Sequence, residues 1–333
     1  MSDGLSIGLA AQQAPNACAL VYQERRYSYR ELATLTQSFT RPATRVHPAH
    51  PSLQTLLLLY KSLEEQRPLA LVSESTSTEQ LQLLADRVPE HLPPEIALIL
   101  FTSGSSGEAK GVMLSRQALL ASARASAECL GWFGDDRWLC ALPLSHIGGL
   151  SILLRSLADR KTVYLCEGFE TEKVASLILA EAVTHISLVP TMLWRLLESG
   201  FQAPPHLRVT MVGGAALDSN LALRASEAGF SLRQSYGMTE TASQIITDGR
   251  PLPGVELRIR NERLEIKAPM LMHGYLPPHD QEPCIDQGWF CSRDRALIDE
   301  EGSVQILGRS DDTIISGGEN IDPRLVESVL NLS

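Results

Sequence analysis

Lysine and long apolar runs are both scarce in this chain of 333 residues. Only five of its 29 basic residues are lysines, the net charge is −10, and no basic run exceeds two residues. A protein that binds duplex nucleic acid needs a cationic face to displace counterions, so this class is disfavoured. The longest apolar run near the N-terminus, residues 56–59, is far too short to span a bilayer.

The N-terminus also lacks the basic region and long apolar core of a signal peptide. We therefore expect a cytoplasmic protein whose partners include neither nucleic acid nor a membrane. The six cysteines contain no C-x-x-C pair and no zinc-site spacing, and several lie in apolar runs, as Cys140 does. They are interpreted as buried thiols in a reducing compartment, rather than as disulfides or catalytic groups.

The composition supplies ample material for a folded core. Hydrophobic residues make up 44% and charged residues 20% of the chain, which excludes disorder over most of its length. The length fits one large domain or two fused domains.

Strand and helix patterns alternate between about residues 96 and 234. Buried strands are predicted from short apolar runs at 96–101, 162–166, 184–189, 208–212 and 231–234. Helices are predicted between them at 115–130, 171–182, 190–198 and 218–228, the first and last with capping residues and the third with Pro190 in its first turn. Proline-rich loops are predicted at 41–51 and 89–94. This alternation predicts an α/β fold of mixed, largely parallel sheets with helices.

After residue 250 the pattern changes to short alternating strands. Residues 255–260 and 263–268 flank Asn261 and Glu262, which is typical of a hairpin. We predict a large N-terminal domain over residues 1–308, in which about 250–308 form a small antiparallel β subdomain. A helical pattern begins at Pro323, and residues 309–333 are predicted to be a hinge and the start of a truncated C-terminal lid.

The segment at residues 102–111 follows a predicted strand and is dense in glycine and small hydroxyl residues. Glycines let backbone N–H groups converge on an anion, and the hydroxyls add donors. A phosphate loop is therefore predicted, with a flexible surface loop as the alternative. It is neither a Walker A loop nor a Rossmann fingerprint, because the lysine spacing differs and the chain has no G-x-G. The expected contacts are Thr102, Ser103, Gly104, Ser105, Ser106, Gly107 and Lys110.

Two further motifs follow predicted strands. The first combines an aromatic ring, a glycine, a hydroxyl and a carboxylate, which together could stack a base, approach a phosphate and hold Mg²⁺; a solvated turn is the alternative. Its members are Tyr236, Gly237, Thr239 and Glu240. The second is the pair Gly213 and Gly214, which permits close backbone approach to a planar ligand or forms a tight turn.

Taken together, these motifs resemble the acyl-adenylate-forming superfamily of acyl-CoA ligases, luciferases and peptide-synthetase adenylation domains. Residues 102–111 match the phosphate loop of this superfamily, and residues 236–240 match its nucleotide and Mg²⁺ motif. Asp294 looks like the aspartate that holds the ribose hydroxyls. Residues 309–312 are similar to the hinge and are followed by the related stretch 315–321. The resemblance is strong over residues 98–321 and weak at 27–32.

The resemblance implies that ATP, Mg²⁺ and CoA are used to activate a small carboxylic acid. The loop and Lys110 would cradle the β- and γ-phosphates, Thr239 would contact the α-phosphate and Glu240 would hold Mg²⁺. Tyr236 would stack on adenine, and Asp294 would fix the ribose. Gly213, Gly214, Gly237 and Arg309 complete the implied nucleotide site. The implied catalytic residues are Lys110, Thr239, Glu240 and His146.

One branch of the superfamily, the o-succinylbenzoate–CoA ligases of menaquinone synthesis, is resembled more specifically. The string 293–295 and residues 142–150 carry this resemblance, whereas most members have Thr-Gly-Asp where this chain has Ser292, Arg293 and Asp294. The branch implies o-succinylbenzoate as the acid. The implied acyl pocket contains His146, Ser187, Gly213 and Gly214. The alternatives are a structural histidine for His146 and a core strand for Ser187, while His185 is expected to be structural.

No lysine follows Lys267, although family members carry a catalytic lysine in the lid. Because too few residues follow the hinge to form a domain, we expect ATP and acyl-AMP binding but slow adenylation, with residues 310–333 weakly packed. The alternatives are another acyl- or aryl-CoA ligase, a stand-alone adenylation domain, and a non-catalytic nucleotide or acyl-adenylate binding module. A homodimer is a further expectation.

Overall fold

The computed structural model describes residues 4–103, 109–277 and 285–310, with the strands Ile314–Ser316 and Glu319–Ile321. The helices within these residues are α1 (Ile7–Gln13), α2 (Tyr29–Ser38), α3 (Leu53–Glu64), α4 (Thr78–Arg87), α5 (Arg116–Leu130), α6 (Ile147–Asp159), α7 (Thr171–Ala180), α8 (Pro190–Glu198) and α9 (Ser219–Glu227), with a 3₁₀ turn at Thr239–Thr241.

The first twelve strands belong to the α/β part of the chain. They are β1 (Cys18–Tyr22), β2 (Arg25–Ser28), β3 (Val46–Pro48), β4 (Leu69–Val72), β5 (Ile96–Ser103), β6 (Ala109–Ser115), β7 (Arg137–Cys140), β8 (Thr162–Leu165), β9 (His185–Leu188), β10 (Val209–Val212), β11 (Leu232–Met238) and β12 (Ser243–Thr247). The later strands are β13 (Arg250–Pro251), β14 (Glu256–Arg260), β15 (Arg263–Lys267), β16 (Gly274–Tyr275), β17 (Ile285–Asp286), β18 (Trp289–Ile298), β19 (Val304–Arg309), β20 (Ile314–Ser316) and β21 (Glu319–Ile321).

The largest sheet has nine strands in the order β13-β12-β11-β10-β9-β7-β8-β1-β2. Its middle strands, from β11 through β10, β9, β7 and β8 to β1, run parallel to their neighbours. The outer pairs are antiparallel. Since parallel strands are joined by crossover helices, both faces of this sheet are covered.

A second sheet has the order β16-β6-β5-β4-β3, with β3, β4 and β5 parallel and the other pairs antiparallel. The third sheet is antiparallel and has the order β14-β15-β18-β17, with β19 also paired to β18. β13 and β16 lie within the range predicted for the small subdomain, yet they pair with strands of the two other sheets. The boundary near residue 250 stays a prediction.

The main apolar core is formed by the nine-stranded sheet, the sheet that contains β5, and the helices α5 and α6. It contains Leu98 of β5, Leu119 of α5, Leu150 of α6 and Ile245 of β12, all of them buried. A separate cluster on the other face of the large sheet is formed with α7, α8 and α9. Helices therefore cover the sheet on both sides and leave its strand ends open to solvent, where a site can form.

Several elements predicted from the sequence are confirmed. α5 begins after Ser115, whose hydroxyl accepts a hydrogen bond from a first-turn amide, and ends at Gly131 in the left-handed region at φ 63°. Pro190 is the first residue of α8. Asn261 and Glu262 form the predicted turn between β14 and β15, with φ angles of 50° and 62°.

Three features differ from the sequence-based expectation. The predicted loop at 41–51 contains β3, which tolerates Pro48 because it is the edge strand of its sheet. The strand predicted at 231–234 continues to Met238, because residues 235–238 pair with β12. Both ends of the predicted phosphate loop 102–111 are strand, since Thr102 and Ser103 end β5 and residues 109–111 begin β6, which was not predicted and which pairs with β5.

Candidate functional site

A cleft of about 870 Å³ opens where β10 and β11 end and faces β19 of the antiparallel sheet. Five of the residues predicted for nucleotide binding line it: Gly214, Tyr236, Gly237, Asp294 and Arg309. They come from four separate places in the chain, and the fold brings them together where the nine-stranded sheet faces the antiparallel sheet. Residues that were not predicted also line the cleft, among them Ser235, Ile246, Gln305, Ile306 and Gly308.

Tyr236 and Asp294 meet directly in this cleft. The Tyr236 hydroxyl donates to Asp294 Oδ2 at 2.5 Å. Burial and the neighbouring Asp294 carboxylate raise the pKa of Tyr236 far above its ordinary value, so the phenol stays protonated and remains a donor. The Asp294 backbone N–H donates to the Ser292 hydroxyl at 3.2 Å, which helps to fix the backbone of β18 beside the carboxylate.

Asp294 and Arg309 are direct cross-strand partners in the β18–β19 pair. Just beyond them, the Ser310 backbone N–H donates to the Arg293 carbonyl at 2.7 Å. The residue predicted to hold the ribose and the first residue of the predicted hinge therefore lie side by side at the cleft. Most of residues 310–333, which were predicted to be weakly packed, lie outside the described residues.

Glu240 lies on the 3₁₀ turn that follows β11, and not in a longer loop after residue 234. Its Oε1 accepts a hydrogen bond from the Tyr275 hydroxyl at 2.9 Å, and its backbone carbonyl accepts one from the Met272 N–H at 2.7 Å. No donor in the described parts of the chain reaches Oε2. A carboxylate oxygen left open in a half-buried position is a ligand type that suits Mg²⁺.

Lys110, predicted as the last contact of the phosphate loop 102–111, lies on β6, and its side chain is buried. Its ammonium nitrogen lies 5.2 Å from the centre of the Tyr275 ring, within cation–π distance. Thr102 pairs with it across the β5–β6 hairpin, and the Thr102 hydroxyl donates to the Lys110 carbonyl at 3.5 Å. Gly104, Ser105, Ser106 and Gly107 lie outside the described residues, and Ser103 is described only as the end of β5.

The turn that carries Thr239 and Glu240 is fixed by buried and partly buried hydrogen bonds. The Thr241 hydroxyl accepts from the Met238 N–H at 3.0 Å and donates to the Ser243 carbonyl at 2.7 Å. From α5, the Ser122 hydroxyl donates to the Ala242 carbonyl at 2.8 Å. Thr239 itself is half-buried at the start of the turn. The position of Glu240 is thus set by its neighbours along the chain and by a helix from a distant part of the sequence.

The three predicted glycines lie at the ends of β10 and β11, and two of them pack closely against a neighbouring strand. Gly213 follows β10, and a Cβ there would lie 2.9 Å from the Ser235 carbonyl oxygen. Gly214 has φ 81°, which favours glycine, and lines the cleft. At Gly237, a Cβ would lie 2.0 Å from the Ser243 carbonyl oxygen, so the β11–β12 pair admits no side chain there.

His146 and Ser187, two of the four residues predicted for the acyl pocket, do not line the 870 Å³ cleft. The other two differ, since Gly214 lines the cleft and Gly213 does not. Lys110, Thr239 and Glu240 also lie outside its lining. His146 is exposed and lies just before α6, with no hydrogen bond from its side chain to the helix end. Ser187 is buried on β9, where its hydroxyl accepts from Trp138 Nε1 at 3.1 Å. These contacts agree with the structural alternative for Ser187, a core strand.

His185, which was expected to be structural, is fully buried. Its ring stacks on Trp132 at a centroid distance of 5.5 Å, and the Thr184 hydroxyl contacts its Nδ1 at 2.8 Å. Burial lowers its pKa to about 4, despite the nearby Asp136 carboxylate, which acts in the opposite direction. The residue begins β9, at the end of the sheet opposite to the cleft.

Residues 39–276 match the family described as AMP-binding enzyme. The chain belongs to the AMP-binding enzyme family. This membership confirms the superfamily indicated by the motifs, together with its α/β fold class.

Curated proteins and solved structures show which AMP-binding enzymes the chain is similar to. A 2-succinylbenzoate–CoA ligase of Staphylococcus aureus is 39% identical over 253 residues, which are 71% of this chain and 51% of that protein. The chain therefore spans about half the length of the curated relatives it matches. An o-succinylbenzoate CoA synthetase of Bacillus subtilis in complex with ATP and magnesium ion has 29% identity and a TM-score of 0.84, with 99% of this chain and 84% of that chain covered. The same synthetase in complex with the acyl-adenylate intermediate OSB-AMP has 28% identity and a TM-score of 0.84, with 100% and 83% covered.

The prediction that the cysteines are buried free thiols is confirmed for some of them. Cys140 and Cys166 are buried free thiols as predicted, but Cys129 is exposed, because it lies on the outer face of α5 near the helix end. Cys284 lies outside the described residues.

None of the helices in the described ranges is both long enough and apolar enough to cross a bilayer.

Sequence reasoning missed Tyr275 as a member of the site. It contacts both Glu240 and Lys110, yet in the sequence it is one aromatic residue after a glycine in an otherwise apolar stretch. No pattern in the neighbouring sequence marks it, because its contacts with Glu240 and Lys110 arise from the pairing of β16 with β6.

Proposed function

We propose that this chain carries the ATP-binding site of a Mg²⁺-dependent acid–CoA ligase that acts on o-succinylbenzoate in menaquinone synthesis. The observation that carries the proposal is the cleft in which Tyr236 and Asp294 meet beside the strand-end glycine Gly214. The match to the AMP-binding enzyme family and the likeness to o-succinylbenzoate synthetases support the same assignment.

The chemistry explains why such a site is needed. A carboxylate is a poor acylating agent because its leaving group would be oxide. Attack of the carboxylate oxygen on the α-phosphorus of ATP expels pyrophosphate and gives an acyl-AMP, whose leaving group is a phosphate ester. The CoA thiol then attacks the acyl carbon and releases AMP. Mg²⁺, when bound, would neutralise charge on the phosphate oxygens in the first step.

The chain's own residues hold the nucleotide in this proposal. Tyr236 offers a ring for stacking on adenine, and Asp294 accepts hydrogen bonds from the ribose hydroxyls. Glu240 Oε2 would hold the metal, while Lys110 and the loop before it would contact the β- and γ-phosphates. Thr239, between Tyr236 and Glu240 along the chain, would contact the α-phosphate. His146 would lie on the side where the thiol approaches.

The finer assignments rest on the family resemblance. We propose a cytoplasmic enzyme that forms a homodimer, with a catalytic domain over residues 1–308 and a hinge from residue 309. Another acyl- or aryl-CoA ligase and a stand-alone adenylation domain would use the same nucleotide cleft. They differ in the acid and in the thiol acceptor, so substrate turnover separates them.

The test uses a panel of acids with ATP and either CoA or a carrier protein as acceptor. o-Succinylbenzoate, benzoates, fatty acids and amino acids are supplied in parallel, and pyrophosphate release and thioester formation are measured. The proposal predicts highest turnover with o-succinylbenzoate and CoA. Preference for a fatty acid or an amino acid would refute the substrate, and thioester formation only on the carrier would refute the acceptor.

Glu240→Gln is the matched variant for the metal. It keeps the size and shape of the side chain but removes the charge, so kcat/KM for Mg²⁺–ATP should fall about 100-fold or more. Its melting temperature should stay close to that of the wild type. Near-wild-type adenylation by this variant would remove Glu240 from the metal site. If the wild-type chain extended by a family-type lid bound ATP or acyl-AMP without any turnover, that result would instead favour a non-catalytic binding module.

A further inference from the structure

We propose that Tyr275 is a positioning residue that fixes the Glu240 carboxylate and the Lys110 ammonium relative to each other. This inference rests on the proposed function, because it concerns how the two groups would share Mg²⁺–ATP. Tyr275 itself contacts neither the metal nor the phosphates in this proposal. It acts through the two charged side chains on either side of it.

The side chain of Tyr275 is buried and, within the described residues, contacts both an anion and a cation. Its hydroxyl donates to Glu240 Oε1 at 2.9 Å, while the face of its ring lies 5.2 Å from Lys110 Nζ. A single aromatic residue therefore binds an anion at its polar end and a cation over its apolar face.

The backbone around Tyr275 is held on both sides. The Met272 N–H donates to the Glu240 carbonyl at 2.7 Å, and the Leu276 N–H donates to the Gly111 carbonyl at 2.7 Å. Between these bonds, β16 pairs with β6 so that Tyr275 lies opposite Val112. The segment 272–276 thus joins the turn that carries Glu240 to the strand that carries Lys110.

Close packing prevents this segment from shifting. A Cβ at Gly111 would lie 2.7 Å from Leu276 Cδ1, so the two strands already touch at that point. Since the backbone is fixed at both ends and closely packed, the Tyr275 hydroxyl has little freedom to move away from Glu240. The hydrogen bond therefore restricts rotation of the carboxylate and directs Oε2 away from the tyrosine.

The placement of the ring also keeps the two charges apart. Lys110 and Glu240, both within the described ranges, form no ion pair with each other. A direct ion pair would occupy the carboxylate with the ammonium and compete with a metal for the same oxygens. By holding Lys110 over its ring and Glu240 at its hydroxyl, Tyr275 sets the spacing at which the two charges would meet a metal–phosphate complex.

Two substitutions separate the contacts. Tyr275→Phe keeps the ring beneath Lys110 and removes only the hydroxyl, whereas Tyr275→Leu removes both. Calorimetry measures the Kd of ATP with excess Mg²⁺ and again with EDTA, and Mn²⁺ binding to the protein–ATP complex is followed by electron paramagnetic resonance. The ratio of the two ATP affinities in one preparation is independent of the fraction folded.

We expect Tyr275→Phe to weaken Mn²⁺ binding and the metal-dependent part of ATP affinity about tenfold, the scale of one hydrogen bond to a charged group. Metal-free ATP binding should stay within about twofold. Tyr275→Leu should add a loss of about threefold in metal-free binding, because Lys110 loses its cation–π contact. Tyr27→Leu is the matched control, since Tyr27 is a buried tyrosine with Arg25 over its ring at 4.6 Å and lies on β2, at the far edge of the nine-stranded sheet from β11 and β12.

A double variant completes the test. In Glu240→Gln the carboxylate is already absent, so adding Tyr275→Phe should cause no further loss of Mn²⁺ binding. Equal losses in metal-bound and metal-free ATP affinity for Tyr275→Phe would mean a merely structural role and would overturn the inference. An unchanged ratio of metal-bound to metal-free ATP affinity in Tyr275→Phe would also overturn the inference. If the wild-type protein bound no ATP at all, the proposed function itself would fail, which is a different result.

Discussion

Tyr236 and Asp294 are joined by a hydrogen bond of 2.5 Å that connects two different sheets. Tyr236 belongs to β11 of the nine-stranded sheet, and Asp294 belongs to β18 of the antiparallel sheet. The bond crosses the cleft between them, so the aromatic wall and the carboxylate of the proposed nucleotide site are fixed to one another.

Removing this hydrogen bond should weaken nucleotide binding even when the aromatic ring at position 236 is kept. In Tyr236→Phe the Asp294 carboxylate loses a donor and gains rotational freedom toward the ribose. We expect the Kd of ATP and of AMP to rise about tenfold, as for the loss of a hydrogen bond to a charged group. Isothermal calorimetry measures both, and pyrophosphate affinity should be unchanged.

A matched control for this variant exists on the same sheet. The buried Tyr164 donates to Glu181 Oε2 at 3.0 Å and does not line the cleft. Tyr164→Phe should leave the Kd of ATP within about twofold of the wild type. If Tyr236→Phe behaved in the same way, the bond to Asp294 would have no part in nucleotide binding.

A methyl group at Gly237 should disrupt the site through the backbone. Because its Cβ would lie 2.0 Å from the Ser243 carbonyl oxygen, Gly237→Ala must separate β11 from β12. We expect a loss of several kcal/mol in the free energy of unfolding, as found for overpacking of rigid backbone, and a loss of ATP binding. Urea unfolding and calorimetry measure the two effects.

The control for that change is Gly134→Ala, since an added Cβ at Gly134 would meet no atom within 4 Å. Its free energy of unfolding should stay within about 0.5 kcal/mol of the wild type. Similar stabilities for the two variants would show that the β11–β12 pair tolerates a side chain at Gly237.

Folding stability should fall on acidification before the carboxylates titrate. Burial lowers the pKa of His185 to about 4, whereas a histidine in the unfolded chain titrates near 6.5. The unfolded state therefore takes up the proton first, and stability present above pH 6.5 is lost as the pH falls toward 4. The loss amounts to about 3 kcal/mol.

The neighbouring Asp136 does not account for this loss. Although burial alone would raise its pKa, hydrogen bonds from the Phe133 N–H and from Arg208 keep that pKa below the ordinary value of 3.8. Its contribution is therefore lost only at lower pH. Urea unfolding between pH 7 and 4.5 should show a shallower pH dependence for His185→Phe than for the wild type or for the exposed control His50→Gln. Equal slopes in all three would contradict the assignment.

The thiols should differ sharply in their reactivity. Burial raises the pKa of Cys140 to about 12 and that of Cys166 to about 11, whereas Cys129 is exposed. Since the thiolate is the reactive form, iodoacetamide at pH 8 should modify Cys129 first and reach Cys140 and Cys166 only after unfolding. Peptide mass spectrometry with and without urea reads out each site. Rapid native labelling of Cys140 would contradict the buried placement of β7.

Signals that act over a few residues were sufficient to predict many elements. Ser115 and Gly131 bound α5 because a hydroxyl cap and a left-handed glycine act within one helical turn. The turn at Asn261 and Glu262 was predictable for the same reason, since its register depends only on its own two strands.

Features that depend on distant pairing were not predictable from one sequence. β11 continues through Gly237 because β12 pairs with it, and nothing local to residues 235–238 indicates this. Likewise, Tyr275 reaches Glu240 only because β16 adds to the edge of the five-stranded sheet beside β6. Lys110 and Glu240 could be recognised in the sequence from the chemistry of their motifs. The role of Tyr275, which lies between them in space, is visible only in the fold.

The pairing of β16 with β6 also determines when the site forms during folding. It brings residue 275 against residue 112, so a loop of nearly half the chain must close before Tyr275 can lie between Lys110 and Glu240. Contacts of such long sequence separation carry a large entropic cost and form slowly. On the ribosome, β5, β6 and α5 emerge long before the strand that completes them. The arrangement of Lys110, Tyr275 and Glu240 is therefore a late product of synthesis, reached only after most of the α/β body is available to fold.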